Sequence, residues 1–297
     1  MVDGALARSG TKASRRMDAL RACLADPKVI VGGGFILFLI VLALGAPWIA
    51  PKDPLDQDII LGATPPFWLP GAEPGHWLGT DDLGRDALSR VIYGARVALT
   101  VAFVAASLAA ALGATLGLLA GWYRGAVDAT ISRLVEIWMA FPPVLLSILL
   151  VAVVGAGIGS VIAAIAIIDW TRFCRVVRAE TLTQASHDYV TAARAIGFPQ
   201  MRILVAEIFP NVLPVLIALI SLEMGIAVIV EAILSFIGLS VSSDTPTWGG
   251  MIAQGRQLLH EGWWILAAPL TMLFLTVLAF NLLGEGLRRA LDPVMQR

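Results

Sequence analysis

Charge is scarce in this chain: 14% of its residues are Asp, Glu, Lys or Arg, where soluble domains carry roughly 25%. That excludes an ordinary soluble enzyme. Only 2 cysteines occur, Cys23 and Cys174, too far apart for a metal or redox pattern, so both read as reduced thiols. The 3 histidines, His76, His187 and His260, have no metal-ligand spacing. No GxxxxGK[ST] phosphate loop is present, so nucleotide hydrolysis has no seat here. Gly155-x-Gly157-x-Gly159 is no substitute, because no strand precedes it; it reads as a turn between spans. No Ser/His/Asp or Cys/His constellation supports catalysis, and no metal or cofactor site is legible. The formal net charge of −1 gives no global attraction to nucleic acid.

What the chain does have is apolar sequence, 58% of its residues. Runs of about 20 apolar residues recur, the length that crosses a bilayer as helix. The expected fold is all-α and polytopic, with about six transmembrane helices. A basic tail (1–28) precedes a first span at 29–50. That run exceeds a signal-peptide core of about 7–15 residues, and Ala46-Pro47 spoils a cleavage site, so it reads as retained. Residues 51–95 form a segment outside the membrane whose prolines at 51, 54, 65, 66, 70 and 74 argue against long helices. The core, 96–285, holds spans at about Arg96–Trp122, Ile131–Val154, Ser160–Trp170, Asn211–Leu239 and Trp263–Leu283, before a basic tail (286–297). Small residues run through the second span, among them Gly113, Gly117 and Gly121, which favours close helix approach. Pro142-Pro143 predicts a kink in the third. The fourth apolar run is short, and its helix is expected to continue through Arg172, Arg175 and Arg178 into the cytoplasm.

Charge placement orients these spans. Of the 21 Lys and Arg, only Lys52, Arg85, Arg90 and Arg256 fall on the outer side when both termini are cytoplasmic, with Arg96 at a boundary. The stretch 187–214 then faces the cytoplasm. It reads as helix–turn–helix: Tyr189, Ala192, Ala193 and Ile196 share a face, and Ser186 or Asp188 is available as N-cap. Gly197 suits the left-handed helix terminus, and Pro199 a following first turn. An amphipathic helix on the inner leaflet is the competing reading.

Carboxylates within spans are functional candidates because burying them is expensive. Glu223 and Glu231 lie eight residues apart, so ~12 Å along one broad face. Two roles are open to them, lining a polar path or pairing with a partner subunit, and structural hydrogen bonding is equally open for Glu231. Glu136 and Asp169, near the cytoplasmic ends of their spans, read as snorkelling or capping groups. Asp81, Asp82, Arg85 and Asp86 lack the closing Glu of a calcium loop and read as turn and helix-start contacts.

Three stretches carry a family resemblance. Tyr189 to Gly197, YVTAARAIG, with Pro210 thirteen residues on, resembles the "EAA" loop of ATP-binding-cassette importer permeases. HWLGTDDLGRDALSRVIYGARVAL (His76 to Leu99) is similar to the signature before the second span in the C-type subunit of the dipeptide/oligopeptide/nickel group. EAILSFIGLS (Glu231 to Ser240) followed by TPTWGGMI is the third. The resemblance implies a type I importer permease in a bacterial inner membrane, forming half of a translocation pathway. Its implied partners are a homologous second permease, two cytoplasmic ATP-binding subunits that hold ATP and Mg, and a periplasmic solute-binding protein that the 76–99 loop is placed to meet. It also implies ATPase docking through Tyr189, Thr191, Ala192, Ala193, Gly197 and Pro210, with Thr191 where the loop's glutamate is usual. Glu223 and Glu231 are the expected path residues. A stand-alone secondary transporter or channel is the rival reading, and peptide, nickel and opine stay open as solutes.

Overall fold

A computed structural model describes residues 25–241 and 244–291. Most of the expected N-terminal tail, and the end of the C-terminal one, lie outside the described residues. Among the described residues the chain is helical, with one isolated bridge between Thr80 and Asp86 and no extended strand.

Helix α1 (Pro27–Ile49) starts where the Asp26 side chain accepts from the Lys28 amide and Pro27 occupies the first turn. The external segment that follows contains one 3-10 turn, Ile59–Leu61, as its prolines require. Helix α2 (Ala87–Tyr123) begins well before the expected Arg96, because Asp86 caps it by accepting from the Ser89 amide. The charge at its start is absorbed: Arg90 is buried against the Asp81 carboxylate at 3.3 Å.

The third span is not merely kinked. Helices α3 (Gly125–Met139) and α4 (Pro143–Val154) meet at 86°. Two consecutive prolines remove two backbone donors, and Pro142 takes an extended backbone, so the helix breaks instead of bending. Helix α5 (Ile158–Ala185) runs on through Arg172, Arg175 and Arg178 as expected. After α6 (Asp188–Ala195), a single long helix, α7 (Gln200–Phe236), replaces the expected start at Asn211. Pro210 and Pro214 sit inside it without ending it. A π-helical turn at Ile203–Ile208 lies just upstream, where the ladder loses the proline donors. Helix α8 (Trp248–Gln257) is capped by Thr247, and α9 (Trp263–Leu291) closes the described chain.

Four helices, α1, α2, α7 and α9, are long and apolar enough to cross a membrane, and the α3–α4 pair makes a bent fifth. Helix α5 is 28 residues long, but it carries Asp169 near its middle and three arginines in its second half. The fold is the expected polytopic all-α one, with four or five spans shown by length and apolarity among the described residues. Helices α1, α2, α7, α8 and α9 share one core around Leu39, Ala98, Val228, Trp248 and Phe280. A second cluster joins the C-terminal ends of α2 and α5 to α6 and α7 through Trp122, Phe173, Val177, Val190, Ile203 and Ile208. It is this cluster that holds the 187–214 loop in place.

Candidate functional site: the 187–214 loop and the charges behind it

Helix α6 is short, and eight residues do not hold a helix in water unaided. Val190 and Ala193 are buried in the second cluster, Ala193 to 4% exposure. At 100° per residue these two mark the inward face. The opposite arc carries Asp188, Thr191, Ala192 and Ala195, all exposed, with Ile196 at its margin at 71%. The face expected from sequence is therefore divided. Ala192 and Ile196 point outward, whereas Ala193 anchors the helix to its own chain, and Val190, not counted in that face, is the deeper anchor.

The caps differ as well. His187 is the N-cap residue and makes no side-chain cap bond, while Asp188 is the first helical residue and adds its charge to the first turn. Gly197 has φ +81°, the left-handed turn that its position predicts, and a Cβ there would meet nothing within 4 Å. Pro199 precedes α7 in extended conformation instead of entering its first turn. Pro210 is exposed and Thr191 stands open on the outer arc.

Polar contacts fix the loop's angle. Tyr189 is half-buried; its hydroxyl donates to Gln184 Oε1 at 2.8 Å and accepts from Asn211 Nδ2 at 3.3 Å. Burial raises the phenol above its usual pKa, against the Asn211 hydrogen bond that lowers it, so this donor persists at neutral pH. The Arg194 guanidinium lies 4.6 Å from the centroid of the Trp122 ring at the inner end of α2. This clamp was not legible from spacing, since 72 positions separate the two residues. An exposed cation–π contact is worth about 0.5–1 kcal/mol. Arg194→Gln is therefore expected to leave the thermal midpoint nearly unchanged but to speed hydrogen exchange across 188–196, read by mass spectrometry.

The intramembrane carboxylates are enclosed. Glu231 is 1% exposed and accepts from Ser240 Oγ at 3.1 Å, which gives it a structural hydrogen bond and no open surface. Glu223 is 2% exposed and accepts from Arg172 Nη1 at 3.1 Å. Asp169 neither snorkels nor caps: it is buried in mid-helix, within electrostatic reach of Arg172 and Glu223. Burial there follows from its neighbours on α5, Ile168, Trp170 and Phe173, which all face the core. Glu136 stays on the surface, paired with Arg133 at 3.3 Å.

On the outer side, the acidic cluster is spent on turn and helix-start contacts. Asp81 accepts from the Leu83 and Arg85 amides and from Arg85 Nε at 2.7 Å, and Asp86 accepts from the Ser89 amide and hydroxyl. Lys52 Nζ lies 2.7 Å from His76 Nε2, and His76 Nδ1 lies 3.0 Å from Asp86 Oδ1. A lysine only donates, so Nε2 accepts and Nδ1 carries the proton toward Asp86. Gly84, at φ +73°, is required here because a Cβ would come within 1.8 Å of the Asp58 carbonyl oxygen.

Comparison with known proteins fits this arrangement. A family profile described as binding-protein-dependent transport system inner membrane component matches residues 113–297. A second, the N-terminal TM domain of oligopeptide transport permease C, matches 14–66. The chain is 43% identical over 270 residues to the dipeptide transport system permease protein DppC of Escherichia coli K12, covering 90% of this chain and 89% of that one. It is 40% identical over 264 residues to the di/tripeptide transport system permease DppC of Pseudomonas aeruginosa, covering 88% and 86%. Identity to the glutathione transport system permease GsiD of Shigella dysenteriae is 41% over 262 residues, covering 87% and 84%. The fold matches a chain of the inward-facing MetNI methionine ABC transporter with TM-score 0.57 at 20% identity, over 68% of this chain and 96% of that one. Helix architecture, the 187–214 loop and both profiles thus agree: this multi-pass membrane chain belongs to the inner membrane components of binding-protein-dependent transport systems, in the group built on the oligopeptide permease C N-terminal domain.

Proposed function

We propose that the chain is one of two permease subunits of an ATP-driven peptide importer in a bacterial inner membrane, with both termini cytoplasmic. Its relatives are named for dipeptides, di/tripeptides and glutathione, so the solutes are peptides of two or three residues. The observation that carries the reading is the outward arc of α6, Asp188, Thr191, Ala192 and Ala195, presented by a helix whose other face is buried. Small residues on a rigid support suit a cleft in a cytoplasmic ATPase. The energy source is then two ATP-binding partner subunits, which hold ATP and Mg. A homologous permease completes the pathway, and a periplasmic binding protein delivers the solute to the external segment. ATPase closure biases the spans between inward- and outward-facing arrangements. Family membership replaces the rival reading of a transporter acting alone.

Gly197→Asp tests the docking. Aspartate tolerates left-handed dihedrals better than most residues, and open space surrounds the Cβ position, so the fold should persist. The complex is expected to lose co-purifying ATPase, or to hydrolyse ATP while peptide uptake falls at least tenfold. Normal uptake would refute docking at this surface.

A further inference from the structure

Arginines 172 and 175 lie three positions apart on α5, so their side chains share a face. Arg172 keeps 39% of its side chain exposed, and Arg175 is exposed. The two form a short basic stripe, bounded on its outer side by the buried Ile168 and Thr171. Arg172 follows the outer end of α5, Ile158, by 14 positions, about 21 Å of helix at 1.5 Å per residue. It precedes the inner end by 13, about 20 Å. If α5 crosses a hydrocarbon layer ~30 Å thick, Arg172 lies about 9 Å or more inside the nearer edge, whichever helix end meets a surface. It cannot snorkel out, because Nη1 is held on Glu223 at 3.1 Å. A half-exposed guanidinium at that depth cannot face lipid without a large cost. The stripe therefore faces water or protein.

One turn inward, Arg175 lines a cavity of about 590 Å³ between α3 and α5, with Ser132, Glu136, Met139, Cys174 and Arg178 among its walls. That volume is in the range of small-molecule sites. Arg178 is tied up as a two-bond fork with Asp128. Arg175 is not: it donates to the Met139 sulfur at 3.5 Å and, among the described residues, to no carboxylate. The charges are layered. Glu223 and Asp169 lie buried behind, and the two guanidiniums stand on the open side with N–H groups to spare.

We propose that Arg172 and Arg175 form a carboxylate-binding step on the translocation pathway, receiving the terminal carboxylate of a peptide as it crosses the membrane. The proposal rests on the peptide-import reading and reassigns the pathway role: Glu223 holds Arg172 from behind, and the arginines meet the solute. Guanidinium forks match carboxylate geometry, and two of them one turn apart hold a mobile anion without trapping it in a closed cage.

The test uses the full transporter complex in liposomes, with Cys23→Ser and Cys174→Ser in this chain and uptake of L-alanyl-L-alanine as readout. Arg172→Cys is expected to lower uptake at least tenfold while binding-protein-stimulated ATP hydrolysis continues. Aminoethyl methanethiosulfonate, which restores a positive charge at the introduced thiol, should raise uptake at least fivefold. The sulfonatoethyl reagent should label the same thiol and restore nothing. Leu149→Cys, on the exposed apolar face of α4, should stay unlabelled by both. Failure of either reagent to label at position 172 means lipid or the second permease covers this face, and overturns the proposal. So does equal recovery with both reagents, or unchanged uptake by Arg172→Cys. A complex with Arg172 intact that imports no peptide would instead overturn the peptide reading.

Discussion

Gly113→Leu is expected to abolish the folded chain: no monodisperse protein should be recovered by size-exclusion chromatography in detergent. A Cβ at this position would lie 2.2 Å from the Trp170 carbonyl oxygen and 2.6 Å from Phe173 Cβ. The first of these is backbone, so no rotamer change relieves it. Gly117 and Gly121 repeat the contact one and two turns on, against Cys174 O at 2.6 Å and Thr181 Cβ at 2.7 Å. Three glycines spaced by four thus form one seam, along which α2 and α5 touch backbone to backbone. In lipid there is no hydrophobic gain from pushing helices together, so this packing carries the association. Overpacking in ordinary cores costs about 1–3 kcal/mol; separating two helices along their length exceeds that and approaches the total stability of a domain, about 5–15 kcal/mol. Gly34→Leu is the control. Its Cβ would meet nothing within 4 Å, and that variant should elute as wild type.

Trp248→Ala should be nearly as severe. The indole is 1% exposed, and Nε1 donates to the Val91 carbonyl at 2.9 Å across 157 positions. The ring sits where any side chain at Gly94 would clash, 2.7 Å from a Cβ built there. It locks α8 onto the start of α2, while Gly249, packed on the Ala232 backbone, and the Ser235–Thr247 hydrogen bond hold α8 to α7. Truncating a buried aromatic costs about 3–5 kcal/mol. The loss should appear as a large drop in the detergent thermal midpoint and as protease cleavage near 240–262. Trp248→Phe keeps most of the volume and loses only the extra bond to the Val91 carbonyl, which keeps its helical partner in α2. It should lose less, about 0.5–1.5 kcal/mol.

Both sites were visible beforehand as residue types, the first as small residues in a span and the second within TPTWGG. Neither sequence says which helix is met. The glycine spacing fixes a face of α2, but only the packed chain identifies α5 as its partner. The same division holds for the loop. Gly197 announced its left-handed turn, because few other residues adopt it at no cost. The two faces of α6 could not be told apart, since Val190, Ala192, Ala193 and Ile196 are all apolar and the choice depends on Ile203, Ile208 and Phe173 arriving from α5 and α7. The break at Pro142-Pro143 was located correctly and its size was not: proline removes the donor, but the 86° angle is set by what α3 and α4 pack against.

Sequence alone determined that this chain is a polytopic helical membrane protein with a structured loop at 187–214. Twenty-residue apolar runs, proline and glycine placement and the Lys/Arg bias are properties of short stretches, and each has a direct physical meaning. Tertiary structure decided what lies opposite what. It buried Glu223 and Glu231, turned Asp169 inward, brought Arg194 onto Trp122 and left Arg172 part-exposed in front of Glu223. A charge in a span is costly wherever it occurs, and whether it is hidden or offered depends on neighbours tens of residues away.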